Sequence, residues 1–363
     1  MHVYYDYQIF ALQNVGGISR YFVELAGRLP RCSSATQATV LAPIHINEHL
    51  AASAVHTLGK KFIEFPGKHH VLSRLNRLAS CVWLEKLQPD IFHETYYSEH
   101  LQKVKAPRVL TVCDMIHERF PEQFFGPDRR VPHQKAAAVA RADHIIAISH
   151  NTRSDLMRCL DVPKEKITVI PLASSLGATS PIVSPGHPRP YILYVGLRQG
   201  VKNFCTLLNA YSRSKLLQKD FDLICAGGGS FTPEELRHIH DAGLYDHVRH
   251  ITVDDALLES LYTHATLFVY PSLYEGFGLP LLEAMRCGCP VISSSSSSMP
   301  EIGGDAALYF DPNDPEELRV IIESVASSDT HREDMREHGY TREKLFSWDV
   351  CAEKTANLYS DLV

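Results

Sequence analysis

Two glutamates eight residues apart carry the most chemistry in this chain. They lie in Leu267-Phe-Val-Tyr-Pro-Ser-Leu-Tyr-Glu275-Gly276-Phe277-Gly278-Leu279-Pro280-Leu-Leu-Glu283-Ala284-Met285. An apolar strand runs into a glycine-bearing turn, and Pro280 suits the first turn of a following helix. Gly276 and Gly278 let backbone N–H groups approach a ligand, and the helix behind them offers free amides with a partial positive charge. That combination suits an anion, most often a phosphate. Glu275 and Glu283 would repel a phosphate but accept hydrogen bonds from vicinal hydroxyls. A ligand that joins sugar hydroxyls, a diphosphate and a ribose satisfies both demands. The spacing alone equally allows a cap at Glu275 and a solvated helix residue at Glu283.

A second phosphate-facing pattern is Tyr194-Val195-Gly196-Leu197-Arg198-Gln199-Gly200-Val201-Lys202-Asn203, a strand, a glycine turn and two cations. Fixed cations lower the barrier to expelling a nucleoside diphosphate. Near the N-terminus, Gly16-Gly17 follows the first strand, with Arg20 just beyond. Asp114-Met-Ile-His117 closes the strand-like run Val109–Cys113, where a histidine could position hydroxyls or manage an acceptor proton. His93 ends another strand. With 20 histidines in the chain, a strand-end histidine is also expected by chance.

These positions need elements to hold them. The 363 residues suggest two domains, and 45% apolar with 21% charged residues describes an ordinary globular protein. That composition excludes disorder, collagen-like repetition and a disulfide scaffold. Residues 1–180 carry 21 Lys/Arg against 16 Asp/Glu, a net of +5, whereas residues 181–363 carry 15 against 26, a net of −11. The nine cysteines form no C-x-x-C pair, which points to a reducing compartment. Signal-peptide and membrane-spanning patterns are missing from the sequence, so a cytoplasmic protein is expected.

Strand-like and helix-like runs alternate throughout, as in parallel α/β folds. The strands read as Val3–Tyr5, Ala38–Leu41, Asp90–His93, Val109–Cys113, His144–Ser149 and Ile167–Pro171, then Ile192–Val195, Leu223–Ala226, Val248–Val253, Leu267–Tyr270, Val291–Ser293 and Ala307–Phe310. The proline-rich Ala173–Pro190 reads as a linker. Two doubly wound domains follow, with ligands expected beyond the C-terminal strand ends, in the cleft between them. The run Ser293–Ser298 reads as a strand-end loop whose hydroxyls either bend the chain or face a ligand. Residues 60–86 intersperse Lys60, Lys61, Lys68, Arg74, Arg77 and Lys86 with Val71, Leu72, Leu75, Leu78, Val82 and Trp83. This fits either peripheral docking on the anionic inner face of a membrane or an ordinary packed helix.

Glu275-x7-Glu283 closely resembles the E-x7-E signature of retaining glycosyltransferase family 4. The resemblance extends through Gly288-Cys-Pro290-Val-Ile, Met299-Pro-Glu301-Ile-Gly and Ala306-Ala-Leu-Tyr-Phe-Asp-Pro312. It also covers Gly16-Gly17-Ile18-Ser19-Arg20-Tyr21, Arg141-Ala142-Asp143-His-Ile-Ile-Ala-Ile-Ser149 and Lys166-Ile-Thr-Val-Ile-Pro171. It implies a GT-B fold: an acceptor domain over 1–172, a linker over 173–190, a nucleotide-sugar domain over 191–345, and a helix over 346–363 with Trp348 and Tyr359 that crosses back. By the same resemblance, Glu283 binds the ribose diol and Glu275 donor-sugar hydroxyls. Phe277, Gly278 and Leu279 offer amides beside Gly276, while Gly17, Gly196, Arg198 and Lys202 serve the diphosphate.

Glu275, Lys202, Arg198, His117 and Asp114 are then the catalytic candidates, and Gly16, Arg20 and His93 the acceptor candidates. Two departures stand out: Val201 where many members have arginine, and Cys113 where many have histidine. The implied reaction is metal-independent hexosyl transfer, with retention, from a nucleotide sugar to a glycan or lipid-linked saccharide. GDP-mannose is the favoured donor and a UDP-sugar the other. The resemblance is to polysaccharide and O-antigen mannosyltransferases. Competing readings are a non-catalytic nucleotide-sugar-binding protein and a dinucleotide-dependent oxidoreductase. The latter lacks G-x-G-x-x-G, because Ala226-Gly227-Gly228-Gly229-Ser230 has the wrong spacing.

Overall fold

A computed structural model describes residues 1–33, 35–63, 68–176 and 186–363, with backbone alone for 68–71. The chain packs as two compact units, Met1–Leu172 with Ser347–Val363, and Ala173–Phe346. Of the expected linker, 177–185 lies outside the described residues.

The first unit holds seven strands: β1 (His2–Tyr5), β2 (Gln37–His45), β3 (Thr57–Lys61), β4 (Ile91–Glu94), β5 (Arg108–Val112), β6 (His144–Ala147) and β7 (Ile167–Val169). All pair in parallel, in the order β3-β2-β1-β4-β5-β6-β7. The second unit holds β8 (Tyr191–Val195), β9 (Asp222–Ala226), β10 (Val248–Ile251), β11 (Leu267–Tyr270), β12 (Val291–Ser294) and β13 (Ala307–Phe310). Their order is β10-β9-β8-β11-β12-β13, again parallel. Each sheet therefore reverses direction once, between β1 and β4 and between β8 and β11. Such a switch opens a crevice at the C-terminal strand ends, where ligands bind doubly wound sheets.

The strands read as apolar runs because parallel sheets are covered on both faces. Val109, Leu110 and Val112, and Leu267, Phe268 and Val269, are fully buried. β3 was not expected. Its Gly59, Lys60 and Lys61 break the apolar pattern, since it is an edge strand with an exposed C-terminal half. The expected strand His144–Ser149 ends at Ala147, because Ser149 caps the helix His150–Leu160, accepting from the Thr152 amide.

The C-terminal helix Trp348–Leu362 packs on the helix Gly17–Cys32 of the first unit. Arg28 donates to Asp349 over 2.9 Å, and the rings of Tyr21 and Trp348 lie 6.2 Å apart. The Arg141-Ala-Asp143 motif also has a packing role. Arg141 and Arg108 both grip the buried Glu94 carboxylate, and the Arg108 amide donates to Asp143 over 2.7 Å.

For 60–86, residues 64–67 and the side chains of Lys68 and Val71 lie outside the described residues. The helix Lys68–Leu87 buries Leu72 and Leu84 against its own unit and exposes Leu75, Leu78 and Val82. Among the described residues, no helix is long and apolar enough to cross a membrane.

Candidate functional site

In the second unit, both chemistry-bearing turns leave the switch point, one after β8 and one after β11. The first closes in a tight turn over Gly200–Lys202, and Asn203 follows it at φ +54°. The Asn203 side-chain amide donates to Pro271 O (3.1 Å) and Pro312 O (2.8 Å), and the Leu273 amide donates to Val201 O over 2.7 Å. These bonds stitch the two turns together. As a result the Lys202 ammonium lies 2.7 Å from Glu275 Oε1, although 73 residues separate them in sequence.

The Glu275 turn is braced from behind. Ser297 and Ser298 hydroxyls donate to Glu275 O, and Ser298 also donates to Phe277 O over 2.8 Å. The serine run thus shapes the turn through its carbonyls. Sequence reasoning left that role open, because contacts 22 residues apart leave no local pattern. Gly278 then takes φ +105° as the cap of the helix Leu279–Arg286, a conformation that disfavours any side chain. The helix points its first-turn amides back toward the turn. Glu283 follows on this helix, and its Oε2 accepts from the Tyr262 hydroxyl over 3.3 Å. A cation, a carboxylate and a helix N-terminus therefore converge here, with a second carboxylate one turn on.

Arg198 is a correction. Its guanidinium is buried, pairs with Glu235 at 2.8 Å, and donates to Gly227 O (3.1 Å), Gly229 O (2.9 Å) and Ser230 O (3.0 Å). It also lies 4.8 Å from the Phe231 ring centroid. Four of its five donors are spent and its charge is matched, so it is a strut of this loop rather than a free cation for a ligand. Gly196 stands beside that loop: a Cβ on Gly228 would come 2.3 Å from Gly196 O. Glu235 lies 37 residues away and also closes a capping box with Thr232, so no local pattern marks the partnership.

In the first unit, Gly16 precedes and Gly17 opens the helix Gly17–Cys32, with the Arg20 amide donating to Gly16 O over 3.0 Å. Asp114 and His117 share the loop after β5. Asp114 accepts from the Ile116 amide at 3.1 Å, and its side chain is one-third exposed. Behind them the fully buried Lys135 donates to Asp114 O and Glu118 Oε2, both at 2.8 Å. Burial, and then Lys135, push the His117 imidazole below its usual pKa. It is therefore neutral at pH 7.

His93 is the second correction. It is 0% exposed, so no acceptor can touch it. Its Nδ1 meets the Tyr359 hydroxyl at 2.5 Å and its Nε2 the Thr111 hydroxyl at 2.9 Å. Tyr5 reaches the same Tyr359 oxygen at 3.1 Å. The histidine thus fastens the C-terminal helix to β4 and β5, and burial drives its pKa down to about 3.

Asp6, missed in the sequence, sits at the end of β1, accepting from the Thr95 amide at 2.9 Å and from the Gln8 side chain. Burial, reinforced by Glu94, pushes it up to about 6.

These two shifts predict opposing pH dependence. The unfolded imidazole takes a proton below its ordinary value of 6.5 and the folded one does not until about 3. Acidification across that window therefore withdraws stability. Asp6 has the reverse sign: folded, it keeps its proton up to about 6, whereas the unfolded carboxyl ionises from 3.8. Acidification from about 6 to 4 therefore restores stability, by roughly 1.4 kcal/mol per pH unit. Asp6→Asn removes this compensation. Urea unfolding of the variant should lose about 1.4 kcal/mol per unit relative to wild type between pH 6 and 4. Parallel profiles would contradict the assignment.

Two family models match the chain: Glycosyltransferase Family 4 over residues 15–173 and Glycosyl transferases group 1 over residues 180–342. The O-antigen chain mannosyltransferase B of Escherichia coli is 35% identical over 268 residues, covering 69% of each chain. Among solved structures, a sucrose-phosphate synthase from Thermosynechococcus elongatus aligns with a TM-score of 0.77 at 19% identity, over 99% of this chain and 98% of that one. Anabaena HepE in complex with UDP-glucose aligns over the whole of both chains, with a TM-score of 0.74 at 15% identity.

Proposed function

The chain belongs to glycosyltransferase family 4, with the GT-B fold, and from that premise we propose that it moves mannose from GDP-mannose to a growing glycan, with retention. The observation that carries this reading is the Lys202–Glu275 contact at 2.7 Å, beside the helix that bears Glu283. A nucleotide sugar presents anionic phosphates next to neutral hydroxyls. An ammonium and a carboxylate held side by side match that pattern in one place.

In the proposed reaction, the bond from the sugar C1 to the phosphate oxygen breaks as the acceptor hydroxyl attacks from the same face. The acceptor proton passes to the departing phosphate oxygen, so no protein nucleophile is consumed. Lys202 and the helix-terminal amides stabilise the charge that builds on the diphosphate. Glu275 orients the sugar hydroxyls and Glu283 the ribose diol. Asp114 and neutral His117 are the polar groups of the first unit offered to the acceptor. O-antigen or a related lipid-linked polysaccharide is the proposed acceptor class, supported by the mannosyltransferase relative. The test is transfer from a nucleotide sugar to a mannose-terminated glycoside, with the anomeric configuration of the product read directly.

A further inference from the structure

The loop after β5 contains more than Asp114 and His117. It winds through two short 3-10 turns, Pro121–Gln123 and Gly126–Arg130, and lines a half-open hollow of about 410 Å³. That volume falls in the range of small-molecule sites, roughly 300–1,000 Å³. His117 forms one wall, its ring against Phe124 with centroids 4.1 Å apart and planes tilted by 33°. Pro121 and Pro132 add apolar surface, while Glu122, Asp128 and Arg129 bring polar groups to the same hollow.

We propose that this hollow is the subsite for a pyranose ring of the acceptor saccharide. The inference rests on the transferase reading and assigns it a place for the second substrate. A pyranose has an apolar C–H face and a rim of hydroxyls. Phe124 and the prolines suit the first, and the carboxylates the second. Among the described residues, neither Glu122 nor Asp128 is in an ion pair, so both are open to hydroxyl donors.

The hollow is also held in shape without a ligand. Arg129 donates to Phe124 O at 3.3 Å, and its guanidinium lies 5.5 Å from the ring centroid of Phe125. Phe125, next to Phe124 in the chain, is 67% exposed, an aromatic surface available to an adjoining sugar. From below, buried Lys135 ties Asp114 and Glu118 together and fixes the helix Ile116–Arg119 that carries His117. His117 Nδ1 is buried with no hydrogen-bond partner among the described residues, a polar atom that nothing in the fold itself satisfies. The two free carboxylates exceed the one cation, so the hollow selects a neutral sugar over a phosphorylated one.

Saturation-transfer NMR of the full chain with methyl α-glycosides of mannose, glucose, galactose and N-acetylglucosamine tests this. Wild type should transfer saturation to at least one of them. Phe124→Ala and Glu122→Gln should each raise the dissociation constant of that glycoside about tenfold. The thermal shift caused by GDP or UDP, a property of the second unit, is recorded on every sample. If a variant melts abnormally, the exposed Asp128→Asn replaces it, with the same weakening expected. Unchanged glycoside affinity in the variants, or no saturation transfer to any glycoside from a wild type that responds to nucleotide, overturns the subsite. A wild type that responds to no nucleotide instead overturns the transferase reading beneath it.

Discussion

Lys202→Ala is expected to lower turnover by about 10²–10³-fold, the scale of removing one fixed transition-state donor. The argument starts from how firmly the lysine is placed. Asn203 locks the turn to Pro271 and Pro312, and the ammonium rests 2.7 Å from Glu275. A charge fixed before the reaction begins loses little in reorganisation when the diphosphate departs, which is why its removal should act on kcat. Lys202→Arg keeps the charge but replaces a compact ammonium with a planar fork on a longer stem. It should recover only part of the loss. The fold should survive, because the lysine side chain is 27% exposed and the Glu275 it leaves behind is braced by Ser297 and Ser298. Steady-state kinetics with matched melting curves check this. Near-normal turnover in Lys202→Ala would remove the lysine from the mechanism.

The second large effect is at Glu283 and should appear in donor binding. A carboxylate that accepts both hydroxyls of a ribose makes two charge-assisted bonds, each worth about 1.5–3 kcal/mol. Glu283→Ala should therefore raise the donor KM by at least tenfold, and about a hundredfold if both bonds are lost. Matched melting curves control for the fold: the helix Leu279–Arg286 is anchored by buried Leu281, Leu282, Ala284 and Met285, and the half-buried Glu283 accepts from Tyr262 over 3.3 Å. A 2′-deoxynucleotide donor provides the matching deletion from the ligand side. On wild type it should bind more weakly, and on Glu283→Ala it should cost little more, because the bond is already gone. Full additivity of the two losses would show that Glu283 does not hold the ribose.

The parallel strands were legible because burial on both faces writes them as apolar runs, as at Leu267–Tyr270 and Leu223–Ala226. The strand Thr57–Lys61 was not, since its lysines report an exposed sheet edge. Lys202, Glu275 and Glu283 could be singled out because glycine turns and a helix start surround them locally. Arg198 carried the same local signal but a different fate. Its partner Glu235 lies 37 residues away, in the first turn of another helix. His93 likewise looked like a strand-end ligand, yet the hydroxyl that claims it belongs to Tyr359, 266 residues on. Local pattern identifies residues able to do chemistry. Whether they are free to do it depends on side chains from distant elements.

The central claim, nucleotide-sugar-dependent transfer with retention, is tested most directly by following one reaction by proton NMR. The protein is mixed with a mannose-terminated glycoside and, in separate samples, GDP-mannose, UDP-glucose and ADP-glucose. The GDP-mannose anomeric signal should decline while a new α-anomeric signal grows on the glycoside at the same rate. A β-linked product would contradict retention. Transfer from a UDP- or ADP-sugar alone would contradict the assigned donor. If none of the three donors is consumed by a folded protein, the glycosyl-transfer account of the Lys202–Glu275–Glu283 site fails.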